Sequence, residues 1–152
     1  MAGAFIFPDR AKLSFFSATG LLGANQANFR MSLHSSVWTP ANGSDEVFAN
    51  VSGELATGNG YTVGGVALTG VTITQTAGVV KFTCAPAVWT AVGGSLPAWR
   101  RGVVYYLGTL NSRVNPIIGH FLGDATPADV PATTVGNTLT VTPHASGIMG
   151  AS

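Results

Sequence analysis

Residues 50–89 read NVSGELATGNGYTVGGVALTGVTITQTAGVVKFTCAPAVW, and the fold class turns on this stretch. Val66, Leu68, Val71 and Ile73 alternate with Ala67, Thr69, Thr72 and Thr74, with one phase shift at Gly70. Alternation puts apolar residues on one face and small polar ones on the other, the signature of a half-buried strand. A phase shift at glycine predicts a β-bulge. After Thr76-Ala77-Gly78, the run Val79, Val80, Phe82, Cys84 is again rich in β-branched and aromatic residues. The two runs predict a hairpin of about fifteen to twenty residues, with Val66, Leu68, Val80 and Phe82 in the core of one sheet. Ahead of it, Thr57–Gly65 is a glycine-dense loop. Its closing pair, Gly64-Gly65, predicts a turn with positive φ at one glycine or both.

Working outward, Phe29, Met31 and Leu33 alternate with Arg30, Ser32 and His34, which predicts a strand with its polar residues outward. Trp38–Ser44 reads as a loop. Ser44 followed by Asp45-Glu46 predicts a short helical turn with acids at its start. Pro8–Ser17 predicts a short helix for the same reasons. Ala85–Thr90 reads as an edge segment because Pro86 lacks a donor. Trp99–Gly108 is nearly continuously apolar after Gly102, as a central strand buried on both faces would be. Asn115–Asp124 is expected to pair with it. A last strand is expected in Thr133–Pro143, with Leu139 and Val141 inward. The expected fold is mainly β: a single-domain antiparallel β-sandwich, jelly-roll-like, with one or two short helices near the N-terminus. The expected division is 1–27 as an apolar arm and short helix, 28–144 as the sandwich, and 145–152 as a small-residue tail.

The order S-G-E-L-A-T-G-N-G-Y-T-x-G-G-x-x-L, followed by an alternating strand and a segment ending V-W-T, resembles a family of small structural proteins of tailed-bacteriophage particles. The resemblance runs from about Phe29 to Met149. Its motif residues are Gly53, Glu54, Gly58, Gly60, Tyr61, Gly64, Gly65 and Trp89. It implies a virion part. The reading favoured here is a capsid decoration (cement) protein that binds the major capsid protein at the capsid surface and is made in the host bacterial cytoplasm. The alternative is a head- or tail-fibre module that binds a host surface glycan or another virion protein.

Composition is consistent with a chain that meets partners. Of 152 residues only 9% are charged, against about a quarter in ordinary globular domains. Neutral surface of that kind tends to be covered. A homo-oligomer, a trimer by preference, is expected, with Phe5, Ile6, Phe7, Trp38, Arg100 and Arg101 as candidate interface residues. Trp38, Trp89 and Trp99 would stack on sugars in the fibre alternative, or pack inside. The net charge of +1 gives no case for nucleic acid. No apolar run is long enough for a membrane span, and Met1–Phe7 is too short for a signal core, with Asp9 close behind.

The search for chemistry returns no catalytic, cofactor or metal site. Cys84 stands alone, so it reads as a small core hydrophobe. His34, His120 and His144 are not at metal-ligand spacing; His34 reads as an outward strand residue and His120 as structural. Asp124 and Asp129 read as loop charges rather than a glycosidase pair. Glu54 is expected to hold the fold through a salt bridge or loop hydrogen bond, with Arg100 and Arg101 as candidate partners; the alternative is a subunit contact.

Overall fold

The computed structural model of the protein describes residues 5–6, 26–76, 79–126, 128–144 and 149–151. In chain order the strands are β1 (Phe5–Ile6), β2 (Phe29–His34), β3 (Val66–Ala67), β4 (Thr72–Thr76), β5 (Val79–Thr83), β6 (Ala87–Thr90), β7 (Arg101–Tyr106), β8 (Thr109–Leu110), β9 (Arg113–Val114), β10 (Ile117–Leu122), β11 (Thr138–Val141) and β12 (Met149–Ala151). Every ladder between them is antiparallel. The largest sheet runs β1-β10-β7-β2-β3; smaller ones are β12-β5-β4, β11-β6 and β8-β9. The mainly β expectation therefore holds. Helix among the described residues is limited to 3-10 turns at Gln26–Asn28 and Phe48–Asn50. The helix expected over Pro8–Ser17 lies outside the described residues.

The apolar run after Gly102 is central, as expected: β7 pairs with β10 on one side and β2 on the other, and Gly102–Tyr106 are all buried. Cross-strand partners share a face of the sheet. One face carries Phe29, Met31, Leu33, Val104, Tyr106 and Phe121, all buried in the main core. That core also takes Phe82 from β5 and Trp89 from β6, with Phe29 edge-on to both Phe82 and Tyr106 at 5.1 and 5.3 Å. Leu139 and Val141 pack against it, half-buried, as the alternation in the last strand predicts.

The predicted long hairpin is not one hairpin. Val66–Ala67 pairs with β2 in the five-stranded sheet, whereas Thr72–Thr76 pairs with β5 in the three-stranded sheet. Gly70, at φ +57°, sits where the chain passes from one sheet to the other. The phase shift is thus a sheet crossing rather than a bulge. Leu68 and Val71 stay buried through it, so the alternation survives while the pairing partner changes. Val66, Leu68 and Phe82 meet in the same core but not in the same sheet; the side chain of Val80 lies outside the described residues.

The opposite face of the five-stranded sheet is the second correction. It carries Arg30, Ser32 and His34 from β2, Arg101, Val103 and Tyr105 from β7, and His120 from β10. Far from facing solvent, Ser32 and His34 are both 0% exposed and His120 is 2%. The segment 35–54 folds over this face. It leaves β2 at Ser35 and returns beside it: the Ser35 N–H donates to the Gly53 carbonyl and the Leu55 N–H to the Leu33 carbonyl. Trp38, Val103 and Ile117, with Phe48 and Val51 against them, form a second small core under it. Alternation separates the two faces correctly; a loop of 3-10 turns and caps, which has no periodicity, buries the polar one.

The terminal segments add edge strands. Phe5–Ile6 pairs with Phe121 and His120 of β10, and Met149–Ala151 pairs with Phe82, Lys81 and Val80 of β5.

Candidate functional site

Two constructions use most of the polar side chains that stand out in the sequence. The first is the glycine strap, residues 53–65. Glu54 anchors it. One carboxylate oxygen accepts from the Tyr61 hydroxyl at 2.8 Å and from the Gly64 N–H at 2.6 Å. The same Tyr61 hydroxyl accepts from the Leu33 N–H at 3.0 Å, tying the strap to β2. Burial pushes the Tyr61 phenol well above the ordinary tyrosine range, so it stays protonated and keeps donating. From the sheet, Arg30 donates to the Gly64 and Gly65 carbonyls at 3.1 and 2.8 Å, and Tyr105 donates to the Gly64 carbonyl at 2.8 Å. Glu54 therefore does hold the fold by loop hydrogen bonds, but neither Arg100 nor Arg101 is among the partners of this clamp.

Both Gly64 and Gly65 have positive φ, +90° and +69°, as the pair predicts. Gly65 has a further reason to lack a side chain: a Cβ there would fall 1.9 Å from the Met31 carbonyl oxygen. A Cβ at Gly60 would meet the Thr90 carbonyl oxygen at the same distance. The strap thus lies backbone-to-backbone on β2 at one end and on β6 at the other, joining two sheets. Gly53 (φ +67°) and Gly58 (φ +143°) turn the chain within it. Trp89, the last motif residue, is 2% exposed in the main core.

The second construction is the buried polar face under 35–54. His34 Nδ1 lies 2.9 Å from the Ser52 carbonyl oxygen, which can only accept, so Nδ1 carries the proton. Nε2 is then the acceptor for the Ser32 hydroxyl, 2.9 Å away. Serine and histidine stand at nucleophile–base distance, yet both are wholly out of solvent and the third member is a backbone carbonyl. What the arrangement does is bond the loop to the sheet. Burial lowers the His34 pKa, opposed by the Ser52 hydrogen bond and by Glu54.

His120 sits across the same face, its Nε2 3.1 Å from Asn42 Oδ1 and its ring edge-on to Trp38 at 5.3 Å. Trp38 also leans on His34, at 5.9 Å. Phe48 stacks on Tyr105 at 4.1 Å. Burial first, then the nearby Arg101 charge, push the His120 pKa down to about 4, against a smaller pull from Asp45. Both imidazoles are neutral at pH 7. Burial likewise lowers Arg101, with Arg100 adding to the shift. Its Nε and His120 Nδ1 are buried without a hydrogen-bond partner among the described residues.

The acids expected to start a helix hold this loop instead. Asp45 is buried and accepts from the Ala41 N–H at 2.8 Å. Glu46 pairs with Arg113. The 3-10 turn begins only at Phe48, and Asn50 Oδ1 accepts from the Glu46 and Val47 N–H groups. Among the loop charges, Asp124 accepts from the N–H and hydroxyl of Thr126, which hold its carboxyl below the usual range. Asp129 pairs with Arg100 at 2.7 Å. Of the candidate interface residues, Arg100 is therefore engaged at the surface and Arg101 lies against the polar face. Trp38 is 4% exposed, packed between His34 and His120. Ile6 is half-buried at a sheet edge. Phe7 lies outside the described residues.

All three tryptophans are buried, which removes the exposed stacking platforms of the glycan alternative. Cys84 is half-buried against the core, and burial raises its thiol to about 11, as suits a small hydrophobe. Among the described residues no three His, Cys, Asp or Glu side chains group as metal ligands, and no helix is long and apolar enough to cross a membrane. Sequence reasoning misses Arg30, Ser32 and Tyr105 as contributors. Their only signal is position on an alternating strand, which does not say what covers it. Compared with family models, curated proteins and solved structures, the chain matches none.

Proposed function

We propose that this protein is a structural part of a tailed-bacteriophage particle, a capsid decoration protein that self-associates, as a trimer by preference, and stabilises the head without catalysis. The resemblance of residues 52–68 carries the proposal. Its support is that the motif residues serve as scaffolding. Glu54 and Tyr61 clamp the strap, and Gly60 and Gly65 let it touch two sheets. Such residues make a rigid carrier for a surface rather than a reactive centre. A sandwich-like layering belongs to the same reading, since the apolar face of the five-stranded sheet shares one core with the smaller sheets.

A cement protein gains affinity from buried area repeated over many copies. The exposed valines of this chain and its few charges are suited to that. The test is co-sedimentation with purified heads lacking the protein, followed by cryo-EM of decorated particles. Density at regular positions on the capsid is the expected result. Density at the tail alone would overturn the decoration assignment in favour of a fibre-associated part. Deleting Met1–Phe7 is expected to weaken head binding more than folding; wild-type occupancy by the truncated chain would remove the arm's role.

A further inference from the structure

The chain holds two Asn-Gly pairs, Asn42-Gly43 and Asn59-Gly60. An asparagine before glycine is the pairing in which the next backbone nitrogen most readily reaches the side-chain amide carbon, because glycine has no Cβ to block the approach or stiffen the backbone. Both pairs are exposed, and they differ in what holds them. Asn59-Gly60 is the tip of a tight turn, with φ +53° and +89°. Gly58 and Tyr61 exchange two backbone bonds of 2.9 Å across it. Asn59 Nδ2 donates to the Ser95 carbonyl at 3.0 Å, and Gly60 lies hard on the Thr90 carbonyl. The amide nitrogen is tethered there, and the glycine has no room to turn. Asn42-Gly43 sits in a turn that the Ser44 and Asp45 N–H groups close on the Ala41 carbonyl. Residues Ala41 to Ser44 are all exposed, and nothing lies within 4 Å of a Cβ built on Gly43. Opening an exposed turn is among the least costly local motions.

His120 singles out Asn42 by a second route. Its Nε2 lies 3.1 Å from Asn42 Oδ1. A carbonyl oxygen only accepts, so Nε2 carries the proton. Attack at Asn42 Cγ turns that oxygen into an oxyanion, and an N–H already aimed at it stabilises the charge as it develops.

We propose that Asn42-Gly43 is a modification site, where Asn42 deamidates without an enzyme, and that the aspartate formed pairs with His120. The Gly43 nitrogen forms a bond to Asn42 Cγ. The bond from Cγ to Nδ2 breaks, and Nδ2 leaves as ammonia with the proton lost from Gly43. Water then opens the succinimide ring. Addition at Cγ leaves an ordinary chain with aspartate at 42; addition at the main-chain carbonyl leaves isoaspartate. One water is consumed and one ammonia released, and no oxidant or reductant takes part. The aspartate product sets an anion in place of a neutral acceptor at His120 Nε2. The other titratable and charged groups around this ring are Arg101 on β7, Asp45 of the same loop, and His34 on β2 beyond Trp38. Burial and Arg101 disfavour the imidazolium, and Asp45 favours it. A carboxylate in direct contact moves the balance toward the charged form. The folded pKa then approaches the unfolded one, so acid destabilises the modified protein less.

This chemistry is independent of any role on a particle. Native protein and protein in urea are incubated at mildly alkaline pH and followed by peptide mass spectrometry. Expected is conversion of native Asn42 to aspartate and isoaspartate, while Asn59 in the same sample reacts at least about tenfold more slowly. In urea the two pairs should react at similar rates. Native Asn42 that stays intact while the urea sample converts, or native Asn59 that reacts in step with it, overturns the site. The ion pair is read on Asn42→Asp. Its denaturation midpoint is expected to fall less between pH 7.5 and 5 than that of the wild type, and in a His120→Gln background the substitution should make no such difference. Should Asn42→Asp fail to fold, aspartate-bearing wild-type protein separated by anion exchange gives the same reading. A fall as steep as that of the wild type overturns the pairing with His120.

Discussion

Tyr61 donates to Glu54 across 2.8 Å while its oxygen receives the Leu33 N–H, so one hydroxyl joins the glycine strap to the central sheet. Tyr61→Phe removes both bonds and leaves a buried strand N–H without its acceptor. An orphaned buried donor costs about 1–3 kcal/mol. A urea denaturation midpoint lowered by that amount is expected, with little change in slope. Glu54→Gln keeps the shape and an acceptor, and is expected to cost less than Tyr61→Phe.

Gly65 separates two reasons for glycine. With φ +69° and the Met31 carbonyl 1.9 Å from a Cβ, Gly65→Ala has to move β2 or the strap. Gly136 shares the positive φ but has nothing within 4 Å of a Cβ. Gly136→Ala is expected to cost about 1–2 kcal/mol, the left-handed penalty alone. Gly65→Ala is expected to cost clearly more. Thermal unfolding of the two variants side by side checks the difference.

Phe82 is 0% exposed and edge-on to Phe29. It is where the three-stranded sheet enters the core of the five-stranded one. Phe82→Ala is expected to cost about 3–5 kcal/mol. Its unfolding transition, followed by tryptophan fluorescence and far-UV circular dichroism together, should remain a single step, because one core serves both sheets.

His120 gives the fold a pH dependence with a definite sign. Unfolded, it takes up a proton near the ordinary 6.5; folded, near 4. Between those values the unfolded chain binds more protons, so stability is complete above about pH 6.5 and is lost as pH falls toward 4. His34, also lowered, acts in the same direction. For His120 the loss amounts to at most about 3 kcal/mol. Denaturation midpoints at pH 7.5, 6 and 5 should fall in that order. In His120→Gln the fall should be shallower even though the variant starts less stable. A wild-type midpoint flat from pH 7.5 to 5 would count against burial of a neutral imidazole.

For β2, β7, β10 and β11 the sequence alone determined where the strand lies and, where the two faces differ, which of them is apolar; it did not determine β8, β9 or β12. β2, β7, β10 and β11 are where their apolar runs and alternation predict. Local pattern suffices there, because a side-chain period of two is imposed by the backbone itself. It also determined that Gly64-Gly65 needs positive φ, since few other residue pairs tolerate that geometry at so little cost.

Only the tertiary structure decided what lies on the other face. Ser32 and His34 carry the same alternation whether water or residues 35–54 cover them, and the loop that covers them has no period to read. Gly70 breaks phase equally at a bulge or at a crossing between sheets; the partner strand decides, and a partner is a long-range choice. Trp38, Trp89 and Trp99 are equally large whether they stack on a ligand or fill a core. Glu54 bonds to Tyr61 and the Gly64 amide rather than to an arginine because the bent strap places those groups against it. In each case the residue's chemistry was visible in the chain, and its neighbour was set by packing between segments far apart in sequence.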